Sequence, residues 1–167
     1  FGEMAAEHLT GIDTLIFVGT KPPVSFFAYP DKPGWLSPES ATLIRVGDQS
    51  TDAIDALTRM ADGLGAQQTP TRFAQRAEQA LEPGPINAME LGKVIANRLP
   101  DHAIVSDEGA TNGLAAFLLT ANAAPHDWLT LTGGAIGQGL PLAVGAAVAC
   151  PDQKVLALEA DGSAMYT

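Results

Sequence analysis

From residue 86 onward, short apolar runs alternate with longer stretches that have helical character. The runs "AIVSDEG", "WLTLTGG" and "KVLALEA" lead into Gly or Asp residues, which predicts buried strands that end in tight turns. Helices are predicted over "INAMELGKVIANRL", "ATNGLAAFLLTA" and "IGQGLPLAVGAAVAC", and "DGSAMYT" starts a further one. Strands that alternate with helices in this way predict an α/β fold, a parallel sheet with helices on both faces.

The pattern of apolar and polar positions in residues 1–63 predicts the later part of another α/β unit. The pattern indicates an initial helix that stops at Gly11, a buried strand over residues 14–18, a second buried strand over "ATLIRVG" and then a helix. Ser50 or Thr51 is the expected N-cap of that helix. No strand precedes the initial helix, so we expect the front of this unit to be missing. In the loop between the strands, Phe26, Phe27 and Trp35 are candidates to pack at an interface or to form part of a domain junction, and packing is the favoured interpretation.

The polar stretch 64–85 separates the two patterns. Its composition predicts a linker with one helix inside it. The expected organisation is therefore residues 1–63, a linker over 64–85, and a second domain over 86–167.

Composition excludes several classes of protein. The net charge is −10 and only nine of the 167 residues are Lys or Arg, whereas nucleic-acid binding requires clustered cations. The single Cys150 cannot form an internal disulfide, which fits a reducing, cytoplasmic compartment. No signal peptide is recognisable, and the most apolar stretch is interrupted by Gln138 and Pro141. We therefore expect neither a nucleic-acid nor a membrane partner.

Candidate chemistry lies where the predicted strands end. Ligands of open parallel sheets bind outside the carboxyl ends of the strands, where helix N-termini offer free N–H groups to anions. Three such ends carry suitable residues, over 106–113, 132–139 and 160–166. Asp161 is a candidate Mg²⁺ ligand, because Mg²⁺ is often held by one or two carboxylates while phosphates supply further oxygens. The glycines of "GGAIGQG" do not match the dinucleotide fingerprint, which disfavours a nicotinamide cofactor. Asp107 and Glu108 are expected in a solvated turn.

A family resemblance rests on these same residues. The stretch "LTGGAIGQGLPLAVGAAVACPDQKVLALEADGSAMYT" resembles the core of thiamine-diphosphate-dependent enzymes of the acetolactate synthase, benzoylformate decarboxylase and pyruvate decarboxylase type. The family motif begins Gly-Asp-Gly-Ser, and here Ala160 stands in place of its first Gly. The likeness extends back through "IVSDEGATNG", and residues 1–63 resemble the end of the family's middle domain. The implied fold is a truncated thiamine-diphosphate-binding fold, preceded by the end of a Rossmann-like middle domain.

The resemblance implies a role for each matching residue. Asp161 matches the Mg²⁺ ligand. Gly134 matches the residue whose carbonyl meets the aminopyrimidine, and Ile136 matches the apolar residue under the bend of the cofactor. The implied cofactor-binding residues are Ala110, Thr111, Gly134, Ala135, Ile136, Gly162 and Ser163, with main-chain contacts alone at Ala110. None of the family's catalytic side chains falls within these residues, and Glu108 does not match the family's activating Glu.

The resemblance also implies what the complete enzyme does. It would act on 2-oxo acids by carboligation or decarboxylation, use thiamine diphosphate and Mg²⁺, and form a homodimer or homotetramer. The activating Glu would precede this chain and the remaining Mg²⁺ ligands would follow Thr167, so the 167 residues alone are expected to be an inactive internal piece. Two alternatives stay open. One is a nucleotide- or flavin-binding Rossmann-like module without catalysis, although nothing in the sequence favours FAD. The other is a dimerisation or regulatory piece.

Overall fold

A computed structural model describes residues 2–48, 50–66 and 69–167. The chain forms two compact units, residues 1–70 and residues 71–167. Both units contain parallel strands and helices, which confirms the predicted α/β class. No helix within the described ranges has the length and apolarity that crossing a membrane requires.

The described part of the first unit contains two parallel strands and two helices. Helix α1 spans Gly2–Leu9, strand β1 Thr14–Val18, strand β2 Thr42–Val46 and helix α2 Ala53–Gly63. The strands lie where the sequence predicts them, but the prediction that both are buried is wrong. Phe17 is their one buried residue and most of β2 is exposed. Among the described residues, β2 pairs only with β1 and neither helix covers it closely.

Helix α2 begins at a cap that the sequence analysis did not identify. Its N-cap is Asp52, whose carboxylate accepts hydrogen bonds from the backbone N–H groups of Ile54 and Asp55. The hydroxyl groups of Ser50 and Thr51 instead donate to Asp48. The prediction of Ser50 or Thr51 as cap is therefore wrong, since both hydroxyl groups are engaged one turn earlier.

The aromatic loop between β1 and β2 is exposed. The loop is tied at its base by an antiparallel bridge between Val24 and Trp35. Phe26 is 62% exposed, Phe27 57% and Trp35 49%. Phe26 contacts Phe27, and Phe27 contacts Tyr29. Packing of these rings at an interface or domain junction stays a prediction.

The second unit is built on a three-stranded parallel sheet. Its strands are β3 (Ala103–Glu108), β4 (His126–Thr130) and β5 (Val155–Glu159), in the order β4-β3-β5. Its helices are α3 (Ala88–Arg98), α4 (Ala110–Leu119), α5 (Gly139–Ala149) and α6 (Asp161–Ala164). Short 3-10 turns occupy residues 120–122 and 132–134. No helix forms among the described residues of 64–85, so the prediction of a helix in that stretch is wrong. Instead, Gln79 exchanges hydrogen bonds with Asn97 of α3.

The central strand β3 directs successive side chains to opposite faces of the sheet. Ser106 donates a hydrogen bond to Gly139 at the start of α5, whereas Asp107 lies against Gly113 of α4. Helices α4 and α5 therefore cover opposite faces, which confirms the predicted arrangement. The core lies on the α4 face, where Trp128, Leu156 and Leu158 pack against Leu99, Ala103 and Val105.

Candidate cofactor site

A cavity of about 340 Å³ lies at the carboxyl ends of β3 and β5. One wall comes from residues 109–113 at the start of α4, and the other from residues 158–161 at the end of β5. Leu91, Ile95 and Ala116 provide its apolar side. The sequence singled out both polar walls, and Ala110, Thr111 and Asp161 line this one cavity.

The N-terminus of α4 is open towards the cavity. Gly109 is its N-cap, and no side chain caps this end. Asn112 N–H donates to the Gly109 carbonyl oxygen, which leaves the N–H groups of Ala110 and Thr111 available to a ligand. The aligned peptide dipoles add partial positive charge at this end of the ten-residue helix. Ala110 has a φ of 41°, in the left-handed region that residues with a Cβ rarely adopt. Strained backbone of this kind is concentrated at binding and catalytic sites.

Asp161 provides negative charge on the opposite wall. It is exposed and begins α6. The described residues contain no group of three or more His, Cys, Asp or Glu side chains able to hold a metal ion. A cation at Asp161 would therefore need oxygens from a bound ligand, which is how Mg²⁺ is commonly held beside phosphates. An open helix N-terminus facing one carboxylate fits a Mg²⁺-diphosphate group.

The other expected cofactor residues do not line this cavity. Gly162 and Ser163 follow Asp161 in α6, where Ser163 is buried. Gly134, Ala135 and Ile136 belong to residues 132–139, which connect β4 to α5 on the opposite face. Gly133 and Gly134 both have a φ of 65°, which favours glycine, and Ile136 is half exposed.

The sequence analysis missed a pair of glutamates on the α5 face. Glu108 and Glu159 are register partners at the ends of β3 and β5. Glu108 is only 2% exposed, and its oxygens accept hydrogen bonds from the backbone N–H groups of Gly137 and Gly139. Both carboxyl oxygens of Glu159 are buried without a hydrogen-bond partner among the described residues. Burial, and then the charge of Glu108, raises the pKa of Glu159 above its usual range.

The expectation of a solvated turn at Asp107 and Glu108 is therefore wrong. The Asp107 carboxylate accepts hydrogen bonds from Gly109 N–H and from the Trp128 indole. The donors to Asp107 and Glu108 come from the residues that follow β3 and β4 and from β4 itself. Period-two alternation along β3 would have assigned Glu108 to the face of Ser106, but its partner Gly139 is 31 residues away in sequence.

A second polar cavity, of about 630 Å³, lies in the first unit. Its lining residues are Gly19, Thr20, Lys21, Arg45, Asp48 and Ser50. They follow the carboxyl ends of β1 and β2 or lie close to them. Lys21 and Arg45 give this cavity cationic groups, which the cavity of the second unit lacks.

Comparison with known proteins assigns the class. Residues 107–167 match a family described as thiamine pyrophosphate enzyme, C-terminal TPP binding domain. Residues 107–167 therefore belong to this family, and the whole chain is similar to thiamine-diphosphate-dependent enzymes. Within that class it is 47% identical over 167 residues to a candidate acetolactate synthase large subunit, IlvX, of Mycobacterium tuberculosis. That alignment covers 100% of this chain and 32% of IlvX.

A further relative and a solved structure are similar to the chain over about half and nearly all of its length. The acetolactate synthase isozyme 1 large subunit of Escherichia coli is 41% identical over 83 residues, which are 48% of this chain and 15% of that protein. A thiamine diphosphate-dependent 4-hydroxybenzoylformate decarboxylase of Rhodococcus jostii RHA1 has a TM-score of 0.66 and 26% identity. It is matched over 96% of this chain and 33% of its own. The chain thus spans about a third of IlvX and of the solved decarboxylase.

Proposed function

We propose that this chain supplies the diphosphate- and metal-binding part of a thiamine-diphosphate-dependent enzyme that acts on 2-oxo acids. The supporting observation is the 340 Å³ cavity, in which the open N-terminus of α4 faces Asp161. Asp161 would hold Mg²⁺, and the backbone of Ala110 and Thr111 would hold the diphosphate. Gly162 and Ser163 would support it from α6.

The segment that contains Gly134, Ala135 and Ile136 would contact the other end of the cofactor. A bound thiamine diphosphate supplies the carbanion chemistry of the reaction. The residues of this chain bind it, orient it and exclude water. An apolar side chain such as Ile136 would hold a bent conformation that brings reacting atoms together.

The reaction is proposed as carboligation or decarboxylation beside a 2-oxo group. The named relatives include acetolactate synthases and a decarboxylase of a 2-oxo acid, 4-hydroxybenzoylformate. We propose that the enzyme works in the cytoplasm as a homodimer or homotetramer. The 167 residues alone are expected to turn over neither pyruvate nor benzoylformate. Product formation above a buffer blank would contradict this.

Titration of the 167-residue chain with Mg²⁺ and inorganic pyrophosphate tests the proposed site. We expect chemical-shift changes at Ala110, Thr111 and Asp161 that require both components. Asp161→Asn should weaken Mg²⁺-dependent binding about tenfold or more, because it removes the anionic ligand. Asp152→Asn, at an exposed position between α5 and β5, serves as the control. Equal binding by the two variants would contradict the assignment of Asp161.

The cationic cavity of the first unit favours a second candidate function, a nucleotide or flavin site. Lys21 and Arg45 could pair with phosphate oxygens of such a ligand. ADP and FAD titrations would show Arg45-dependent binding if this unit is a nucleotide module. Binding that is unchanged in Arg45→Ala would contradict it.

A further inference from the structure

Glu108 connects two segments that are distant in sequence. It ends β3, and its carboxyl group crosses the α5 face to reach residues 132–139. One oxygen accepts from Gly137 N–H and the other from Gly139 N–H. With only 2% of its surface exposed, Glu108 makes these bonds out of contact with water, where they are strong and costly to lose.

The side chain of Gln138 links the end of residues 132–139 to the residues at their start. The Gln138 side-chain amide donates to the carbonyl oxygen of Thr130 and accepts from Thr132 N–H, at 3.2 and 3.3 Å. Ser106 adds a hydrogen bond to the carbonyl oxygen of Gly139, at 2.9 Å. Gly134 and Ile136 lie in the chain between Thr132 and Gly137, which these hydrogen bonds fix.

The two glycines that Glu108 holds have no space for a side chain. A Cβ on Gly139 would lie 2.5 Å from a Glu159 oxygen and 2.8 Å from the Glu108 Cβ. Gly137 has a φ of 95°, and a Cβ there would lie 2.7 Å from the Cβ of Tyr166. Glycine at position 139 allows the backbone to approach the Glu108 carboxyl group closely, and glycine at position 137 allows the positive φ and the close approach to Tyr166.

We propose that Glu108 is a positioning residue, whose buried carboxyl group holds Gly137 and Gly139 and thereby fixes Gly134 and Ile136 for contact with the cofactor. That Glu108 fixes residues 132–139 follows from its two hydrogen bonds to Gly137 and Gly139. Its consequence for the cofactor rests on the proposed function. Glu108 is not among the residues that line the 340 Å³ cavity, so we expect its effect to be largest at the other end of the ligand.

Hydrogen exchange of individual backbone amides tests the hold on the segment. A glutamine at this position offers one acceptor and one NH₂ donor to two N–H groups, so one of them loses its partner. We expect Glu108→Gln to raise exchange at Gly137 or Gly139 about tenfold or more, while Val105 and Leu156 stay protected. Unchanged exchange at both glycines would overturn the proposal. An equal rise throughout β3, β4 and β5 would also overturn it, by assigning Glu108 a global role in folding.

Comparison of two ligands tests the consequence for the cofactor. Thiamine diphosphate and inorganic pyrophosphate, each with Mg²⁺, share the diphosphate end and differ in the aminopyrimidine end. Glu108→Gln should weaken thiamine diphosphate binding about tenfold and leave pyrophosphate binding unchanged. Glu78→Gln, the same chemical change at an exposed position, should alter neither. Equal weakening of both ligands would overturn the positioning role.

The two proposals can fail separately. If the wild-type chain binds neither ligand, the proposed function fails, while the exchange result still decides whether Glu108 holds the segment. If Glu108→Gln does not fold, Glu108→Asp takes its place, because it keeps the carboxyl group and withdraws it by one methylene. Selective exposure of Gly137 and Gly139 in that variant would support the proposal, and full protection would overturn it.

Discussion

At the scale of single residues, this chain places polar groups at strand ends with very different partners. Glu108 has two backbone donors, whereas its register partner Glu159 has buried oxygens with none among the described residues. Burying a carboxyl group disfavours its charged form, and the charge of Glu108 nearby adds to that effect. The pKa of Glu159 is accordingly raised.

The raised pKa of Glu159 predicts how stability depends on pH. Above the unfolded pKa of about 4.3, the folded state retains a proton at Glu159 that the unfolded state has lost. This group's contribution is therefore fully present below the unfolded pKa and declines as pH rises towards the folded pKa. Glu159→Gln cannot ionise, so it should gain stability relative to wild type as pH rises through that range.

Urea unfolding of both proteins across this pH range, with a chelator present, measures the difference. Glu78→Gln should follow the wild type at every pH, since Glu78 is exposed. A constant difference between Glu159→Gln and wild type would contradict the prediction.

At the scale of elements, α3 and α4 pack closely at a buried glycine. A Cβ on Gly92 of α3 would lie 3.0 Å from the Ala115 carbonyl oxygen and 2.8 Å from a Leu119 methyl carbon of α4. Because the Ala115 oxygen is a backbone atom, it cannot move aside as a side chain would. The two helices must therefore separate to remove the clash. Both helices also border the 340 Å³ cavity, through Leu91, Ile95 and Ala116.

Gly92→Ala should therefore destabilise the second unit, by about 1–3 kcal/mol, the usual cost of overpacking. Gly145→Ala is the matched control within a helix, because no atom lies within 4 Å of the added Cβ. That control should be stabilised by up to about 1 kcal/mol through helix propensity. The midpoints of urea unfolding separate the two variants, and equal midpoints would contradict the packing argument.

The elements were the part of this structure that the sequence predicted well. Apolar runs gave every strand, and β1 lies at the residues expected. Burial of β2 was not predictable, because a run such as "TLIRV" reads the same whether a second layer covers it or not. The cap of α2 was missed, since Ser50, Thr51 and Asp52 are all good caps. Local hydrogen bonds to Asp48 engage the first two and leave Asp52 as the cap.

Some features of the candidate site could likewise be predicted from the sequence, and others could not. Glycine turns and Asp161 could be assigned from sequence because parallel strands bring their carboxyl ends to one edge. The contacts of Glu108 could not, since they join β3 to a segment beyond the next strand. The family resemblance named Ala110 and Thr111, but not the left-handed backbone that Ala110 adopts.

At the scale of the whole molecule, the chain exposes much apolar surface. Helix α5 is apolar on all sides, and Val144 and Val148 are 64% and 77% exposed. Leu114 and Leu118 of α4 are also largely exposed. Apolar surface on this scale marks interaction sites or a tendency to associate.

We therefore expect the 167-residue chain to self-associate. Val148→Glu should shift the sedimentation profile towards the monomer, because a charge at this exposed position opposes apolar contact without disturbing the core. Its unfolding midpoint should stay within about 0.5 kcal/mol of wild type, as is usual for surface changes. Ala149→Glu, at an exposed position with little apolar surface, is the comparison. A concentration-independent monomer in the wild type would contradict the prediction.

The alternation of side chains along β3 limits how this part of the chain can change in length. Insertion or deletion of one residue within the strand would exchange its faces, turning Asp107 away from α4 and Glu108 away from residues 132–139. Both sides of the site would be lost in a single event, whereas substitutions act on one side at a time. Length differences among relatives should therefore fall in the connections at residues 120–125 and 150–154, and β3 should keep its length wherever the cofactor is bound.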